Sequence, residues 1–300
     1  MTEISRARSE IEARACAPAR DIPPREDGTV TTPNTRRAPA KRSTLRSVAL
    51  PSEHGGWGLT LEPGLLGLLV APGAAGVCLA VAAFVAFLAR TPLKVVLVDR
   101  RRGRWLGRTQ TAAGVAAGEL AVLAGLIVVA FALANGRFWV PALVAGPLVL
   151  VQLGFEARSR GRRLIPELAG AVGVCSVTAM IALADGESGR LAAGIWMVLA
   201  ARAVTSIPHV REMIARLHNR PVRATITLVA DGVAITVAAA ATLTDRGLVA
   251  GTLAVAVVVA VQRLTARGPV PRPAVLGMRQ MAMGLAVVVA TAAGVLASTR

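Results

Sequence analysis

The chain has 300 residues, 54% of them apolar and only 17% charged, with a formal net charge of +17. Soluble domains carry roughly 25% charged residues, so this composition, with a mean hydropathy of +0.58, excludes an ordinary soluble enzyme. The excess of arginine does not point to a nucleic-acid partner, because it sits in short loops between apolar segments, as the positive-inside bias requires.

Residues 1–47 are rich in Arg, Pro, Thr and Ala and contain no apolar core segment. They lack the 7–15-residue apolar region of a signal peptide and are expected to form a disordered basic cytoplasmic tail. Residues 48–300 are expected to form one transmembrane domain. Nine apolar segments follow, near 55–74, 76–97, 111–134, 138–154, 164–184, 191–208, 222–243, 247–265 and 274–297. Most approach the ~20 residues that cross a bilayer and are apolar all round. The predicted fold is therefore an all-α, polytopic bundle of about nine spans.

The arginines fix an orientation. The loops after the second, fourth, sixth and eighth segments hold Arg100, Arg101, Arg102, Arg104 and Arg108; Arg158, Arg160, Arg162 and Arg163; Arg211, Arg216, Arg220 and Arg223; and Arg263, Arg267, Arg272 and Arg279. The intervening loops hold at most one each, Arg137, Arg190 and Arg246. That alternation predicts a multi-pass membrane protein with its N-terminus cytoplasmic and its C-terminus outside. The second and sixth segments also resemble each other, with Ala89-Arg90 and Ala201-Arg202 followed by Pro92 and Pro208, which hints at a duplicated four-helix unit.

Ionisable groups inside a bilayer are expensive and are functional candidates by default. Counting 1.5 Å per residue from the predicted ends, Glu62, Arg90, Glu119, Arg202 and Asp231 lie deep, with Lys94 one turn from Arg90. One reading is a set of ion pairs that fix packing. The other is a polar cavity whose wall includes Glu62, Arg90, Lys94, Arg202 and Arg211. Pro63-Gly64, just after Glu62, is expected to break the first span and expose backbone to that cavity. Nearer the cytoplasmic surface, Glu53, His54, Asp99, His209 and Glu212 are candidates for acid–base work, while the four tryptophans read as interfacial anchors. The three cysteines (Cys16, Cys78 and Cys175) have no metal spacing. There is no phosphate-binding loop, G-x-S-x-G nucleophile or paired-His zinc motif.

The stretch Glu53-His54-Gly55-Gly56-Trp57, with Leu88-Ala89-Arg90-Thr91-Pro92-Leu93-Lys94 and Asp99-Arg100-Arg101-Arg102, resembles the YwiC-like family of bacterial membrane proteins. Members open with Pro, a basic residue and Glu-His-Gly-Ala-Trp; this chain has Ser52 and Gly56 at the two variant places. The likeness extends through Arg162 to Gly170 and Arg202 to Arg211. The family implies no settled activity. More distantly, nine spans with functional loops after the second and sixth are similar in plan to UbiA-type intramembrane prenyltransferases. That likeness implies Mg²⁺ held by carboxylates against a prenyl diphosphate. Here each place offers one carboxylate, Asp99 or Glu212, too few for such a cluster, with Arg90, Lys94, Arg202 and Arg211 around them. The reading that follows is a protein that binds or processes an anionic phospholipid or isoprenoid in a cytoplasm-facing polar cavity. A permease for a small organic anion and a non-catalytic component of a membrane complex are the alternatives.

Overall fold

The computed structural model describes residues 56–158, 160, 161 and 163–298. The tail 1–47, together with Glu53, His54 and Arg162, lies outside the described residues. Among those described, nine α-helices follow in order: α1 Gly56–Val70, α2 Ala74–Arg101, α3 Gly107–Leu133, α4 Trp139–Ala157, α5 Leu164–Ala184, α6 Gly189–Leu217, α7 Ala224–Ala241, α8 Val249–Thr265 and α9 Pro273–Ser298. A 3₁₀ turn, Arg246–Leu248, leads into α8. The chain is a multi-pass helical membrane protein: α2 to α7, α9, and α8 together with its 3₁₀ turn (Arg246–Thr265) are long and apolar enough to cross a bilayer, whereas the apolar part of α1, Trp57–Val70, is shorter.

Two expectations need correction. Glu62-Pro63-Gly64 does not break the first helix, because α1 runs unbroken through Pro63. The ring removes one N–H, and a helix packed among neighbours tolerates that loss. Second, α2 and α6 outrun their apolar segments, reaching Arg101 and Leu217. Long basic side chains carry the charge to the interface while their stems stay helical, so hydropathy alone ends such helices early.

α2 packs against α1, α3 and α5 and more lightly against α4, and α6 packs against α5, α7, α8 and α9. α9 packs on α8, α1 and α6. Helix α6 is the centre of the bundle, with 72% of its apolar stretch buried; α3 packs chiefly on α2 and is only 11% buried. Around α6, Leu66, Ile195, Val198, Leu199, Val255 and Val287 form the main core. A second core, on Leu79, Phe138 and Ile181, joins α2, α5 and the α3–α4 turn. Ile181 reaches it because Gly67 and Gly76 have no side chains: a Cβ at either would fall 2.7–2.8 Å from Ile181 carbons.

Candidate functional site

The deep charges meet in pairs. On α6, Arg202 is 2% exposed; its Nη2 donates to Glu62 Oε1 on α1 at 3.1 Å and to the Gln280 carbonyl on α9 at 2.6 Å, and its Nη1 donates to Ser206 Oγ. The polar chain continues sideways. Gln262 Nε2 on α8 lies 3.3 Å from both Ser206 Oγ and Gln280 Oε1, and Thr205 Oγ1 lies 3.0 Å from Gln262 Oε1. The Thr205 hydroxyl donates to Asp231 Oδ1 on α7 at 2.5 Å, and Arg263 Nε on α8 donates to Asp231 Oδ2 at 2.5 Å. Five helices are thus tied through side chains in the apolar interior, where an unpaired charge is strongly unfavourable. The network keeps buried donors without acceptors among the described residues, Arg202 Nε, Gln280 Nε2 and Arg263 Nη2.

A second set of pairs lies around α2. Arg90 Nε donates to Glu156 Oε1 on α4 at 2.5 Å, with Glu156 1% exposed. At the end of α2, Asp99 accepts from Arg108 Nη2 at 3.1 Å and from the Thr109 hydroxyl at 2.7 Å, both on α3. Arg211 Nη1 donates to Glu167 Oε2 at 2.8 Å, joining α6 to α5. Sequence reasoning placed Arg90, Arg202 and Arg211 in one wall, ready for an anion. In the fold each has a carboxylate, and the three pairs occupy three different helix interfaces. Lys94 is half-buried on α2, one turn beyond Arg90.

The shallow candidates divide in the same way. His209, 4% exposed, sits among Glu212 and Arg216 of its own helix, Asp231 of α7 and Arg263 of α8, all of which act on it electrostatically. Glu212 Oε2 is buried without a partner among the described residues, as is Glu119 Oε2 on α3. Asp99 and Glu212 stand at the ends of α2 and α6, and Asp99 is engaged by Arg108 and Thr109. Among the described residues, no three His, Cys, Asp or Glu side chains come together as a metal-binding group.

An open feature lies beside these pairs. A cleft of about 370 Å³ is lined by Val98, Arg101 and Arg102 from the end of α2 and by Ala157, Arg158 and Arg160 from the end of α4. Its walls are anchored from below: Asp99, next to Val98, is clamped by Arg108, and Glu156, next to Ala157, is clamped by Arg90. The two carboxylates are therefore already engaged, and none of the four lining arginines makes an ion pair among the described residues. Arg158 Nη1 donates to the Gly154 carbonyl at 3.1 Å. Sequence reasoning counted these arginines as topology signals, and Arg101 and Arg102 also as part of the YwiC-like motif, but named none of them a binding residue. The missed clue is spacing: Arg101-Arg102 and Arg158-x-Arg160 each follow a buried acid within three or four residues. In the second half, the matching helix ends are instead tied together, because Arg216 Nη1 on α6 donates to the carbonyl of Ala266, the last cap of α8.

Comparison with known families now bears on these helices. Residues 50–182 match the YwiC-like protein family. The YwiC-like region takes in α1 to α4 and nearly all of α5, so it contains the whole cleft and both of its clamps. It ends well before Arg202 to Arg211, which sequence reasoning had included in the likeness. No curated protein and no solved structure matches the chain.

Proposed function

We propose that the protein binds an anionic lipid or isoprenoid at the arginine-rich end of its bundle, with that end facing the cytoplasm of a bacterial cell. The observation that carries this reading is the cleft between the ends of α2 and α4. Four exposed arginines line it, and the two adjacent carboxylates are already held by other arginines. A guanidinium is a fixed cation with a planar donor fork suited to oxyanions. Four of them around one space, beside an apolar bundle, suit an amphiphile whose head is anionic and whose tail stays in the leaflet. The Arg90–Glu156 pair joins the two helices that carry the walls.

The test is native mass spectrometry of the full chain released from bilayer nanodiscs that hold zwitterionic and anionic phospholipid in equal amounts. Retained anionic lipid, lost in an Arg101→Gln/Arg158→Gln variant and kept in an Arg137→Gln variant at the other end, is the expected result. Equal retention of both lipids removes the reading.

The permease reading also has an observation in its favour. The side-chain chain from Arg263 through Asp231, Thr205 and Gln262 to Arg202 and Glu62 runs through the apolar interior and retains unmatched donors. Proteoliposome flux of small organic anions tests it, and absence of flux across a panel counts against it.

A further inference from the structure

The charge in the cleft narrows the head group, on the assumption that the cleft is the binding site proposed above. We infer that it selects a terminal phosphate, as in a phosphomonoester or a diphosphate, over the phosphodiester of common anionic phospholipids. The four lining arginines bring four positive charges, none of them in an ion pair among the described residues; only Arg102 feels a carboxylate, that of Asp99, which Arg108 and Thr109 already hold. A phosphodiester carries a single charge and leaves most of that excess uncompensated. A terminal phosphate carries about −1.5 to −2 at neutral pH and three acceptor oxygens, enough to take paired donors from more than one guanidinium.

The walls agree with this. Arginines approach from two helix ends, Arg101 and Arg102 on one side and Arg158 and Arg160 on the other. A phosphodiester has two free oxygens, because the other two bridge to carbon. A terminal phosphate presents its three oxygens in different directions and meets donors from both walls. The clamps Asp99–Arg108 and Glu156–Arg90 hold the two walls in place, which favours recognition by fixed donors over adaptation to any anion. In the second half Arg216 instead ties the corresponding helix ends together through the Ala266 carbonyl.

The chemistry supplies its own discriminating readout. Arginine does not titrate in the accessible range, whereas a terminal phosphate loses its second proton near pH 6 and a phosphodiester has no such step. Binding of a terminal-phosphate lipid should therefore strengthen as pH rises from about 5.5 to 7.5 and then level off. Binding of a phosphodiester lipid should stay flat over the same range.

The experiment places the full chain in phosphatidylcholine nanodiscs doped with phosphatidic acid or phosphatidylglycerol. Bound lipid is measured by native mass spectrometry across that pH range, with inorganic pyrophosphate as a soluble competitor. The expected result is about tenfold preference for phosphatidic acid at pH 7.5, shrinking toward pH 5.5, and lost in Arg101→Gln/Arg158→Gln. Arg101→Lys/Arg158→Lys should keep the charge but lose most of the preference. Equal binding of both lipids at every pH overturns the inference while leaving anionic-lipid binding intact. Binding of neither over phosphatidylcholine overturns both. Pyrophosphate that binds and fully displaces the lipid at equal concentration keeps the phosphate chemistry but assigns the site to a soluble anion, which overturns the lipid reading alone.

Discussion

The tightest point of the interior is Gly284, and substituting it should be costly for a reason that can be isolated. A methyl group at position 284 would fall on Glu62 Oε1 and 2.7 Å from Arg202 Nη2, where ordinary contact begins at 3.4 Å. The carboxylate has to retreat by well over an ångström, and its 3.1 Å bond from Arg202 goes with it. Both side chains are more than nine-tenths buried, so neither can turn to water. Overpacking costs about 1–3 kcal/mol, and a broken buried pair about 3–5 kcal/mol. The gain from replacing glycine in a helix returns about 1 kcal/mol. With partial retention of the pair, Gly284→Ala should destabilise the bundle by about 2–4 kcal/mol. In a Glu62→Ala background the offending atom is gone, and the same substitution should cost less than about 1 kcal/mol, a coupling of 1 kcal/mol or more between the sites. In Glu62→Gln, which keeps the shape and drops the charge, Gly284→Ala should stay costly, because the clash is steric. Equilibrium unfolding in mixed detergent micelles measures all three. A Gly284→Ala protein as stable as the parent, or equally destabilised in the Glu62→Ala background, would refute the argument.

Other outcomes follow from the same contacts. Arg90→Ala should cost more than Glu156→Ala, about 2–4 against about 1 kcal/mol, because it strands a carboxylate that is 2% exposed while Arg90, 31% exposed, keeps a route to water; removing both should cost less than Arg90→Ala alone in the same unfolding assay. Gly118→Ala should be neutral or stabilising by up to about 1 kcal/mol, since nothing lies within 4 Å of the new methyl and the helix gains propensity. For orientation, cysteines introduced at Gly103 and Asn135 should behave oppositely in intact cells, with Asn135→Cys labelled by an impermeant maleimide and Gly103→Cys protected until the membrane is opened. Reversed labelling would invert the proposed topology.

The helices were legible because lipid leaves a simple signature: a segment apolar on every side, long enough to cross and bounded by arginine. The same signature failed at the ends of α2 and α6, where charged residues continue a helix that hydropathy had closed. It failed also at Pro63, since propensity cannot show whether neighbours will hold a helix through a proline. Depth along a span was readable, and it picked out Glu62, Arg90, Arg202 and Asp231 as the charges that need company. Partnership was not readable, because it depends on which helix faces lie together. Nothing local links Glu62 to Arg202 across 140 residues, or Arg90 to Glu156 across 66. The cleft was hidden for a different reason: loop arginines serve topology everywhere in such a chain, and only the fold shows which of them share a space.

The Glu62–Arg202 bond also sets an order of assembly. Glu62 is made 140 residues before the arginine that neutralises it, and at 5–20 residues per second that interval is roughly 7–28 seconds. Gln280 and Gly284, which complete the same contact from α9, come later still. α1 can settle on α2 and α5 during that time, since both are made before Arg202. Its carboxylate contact, however, waits for α6 and α9, so the helix is placed before its charge is neutralised.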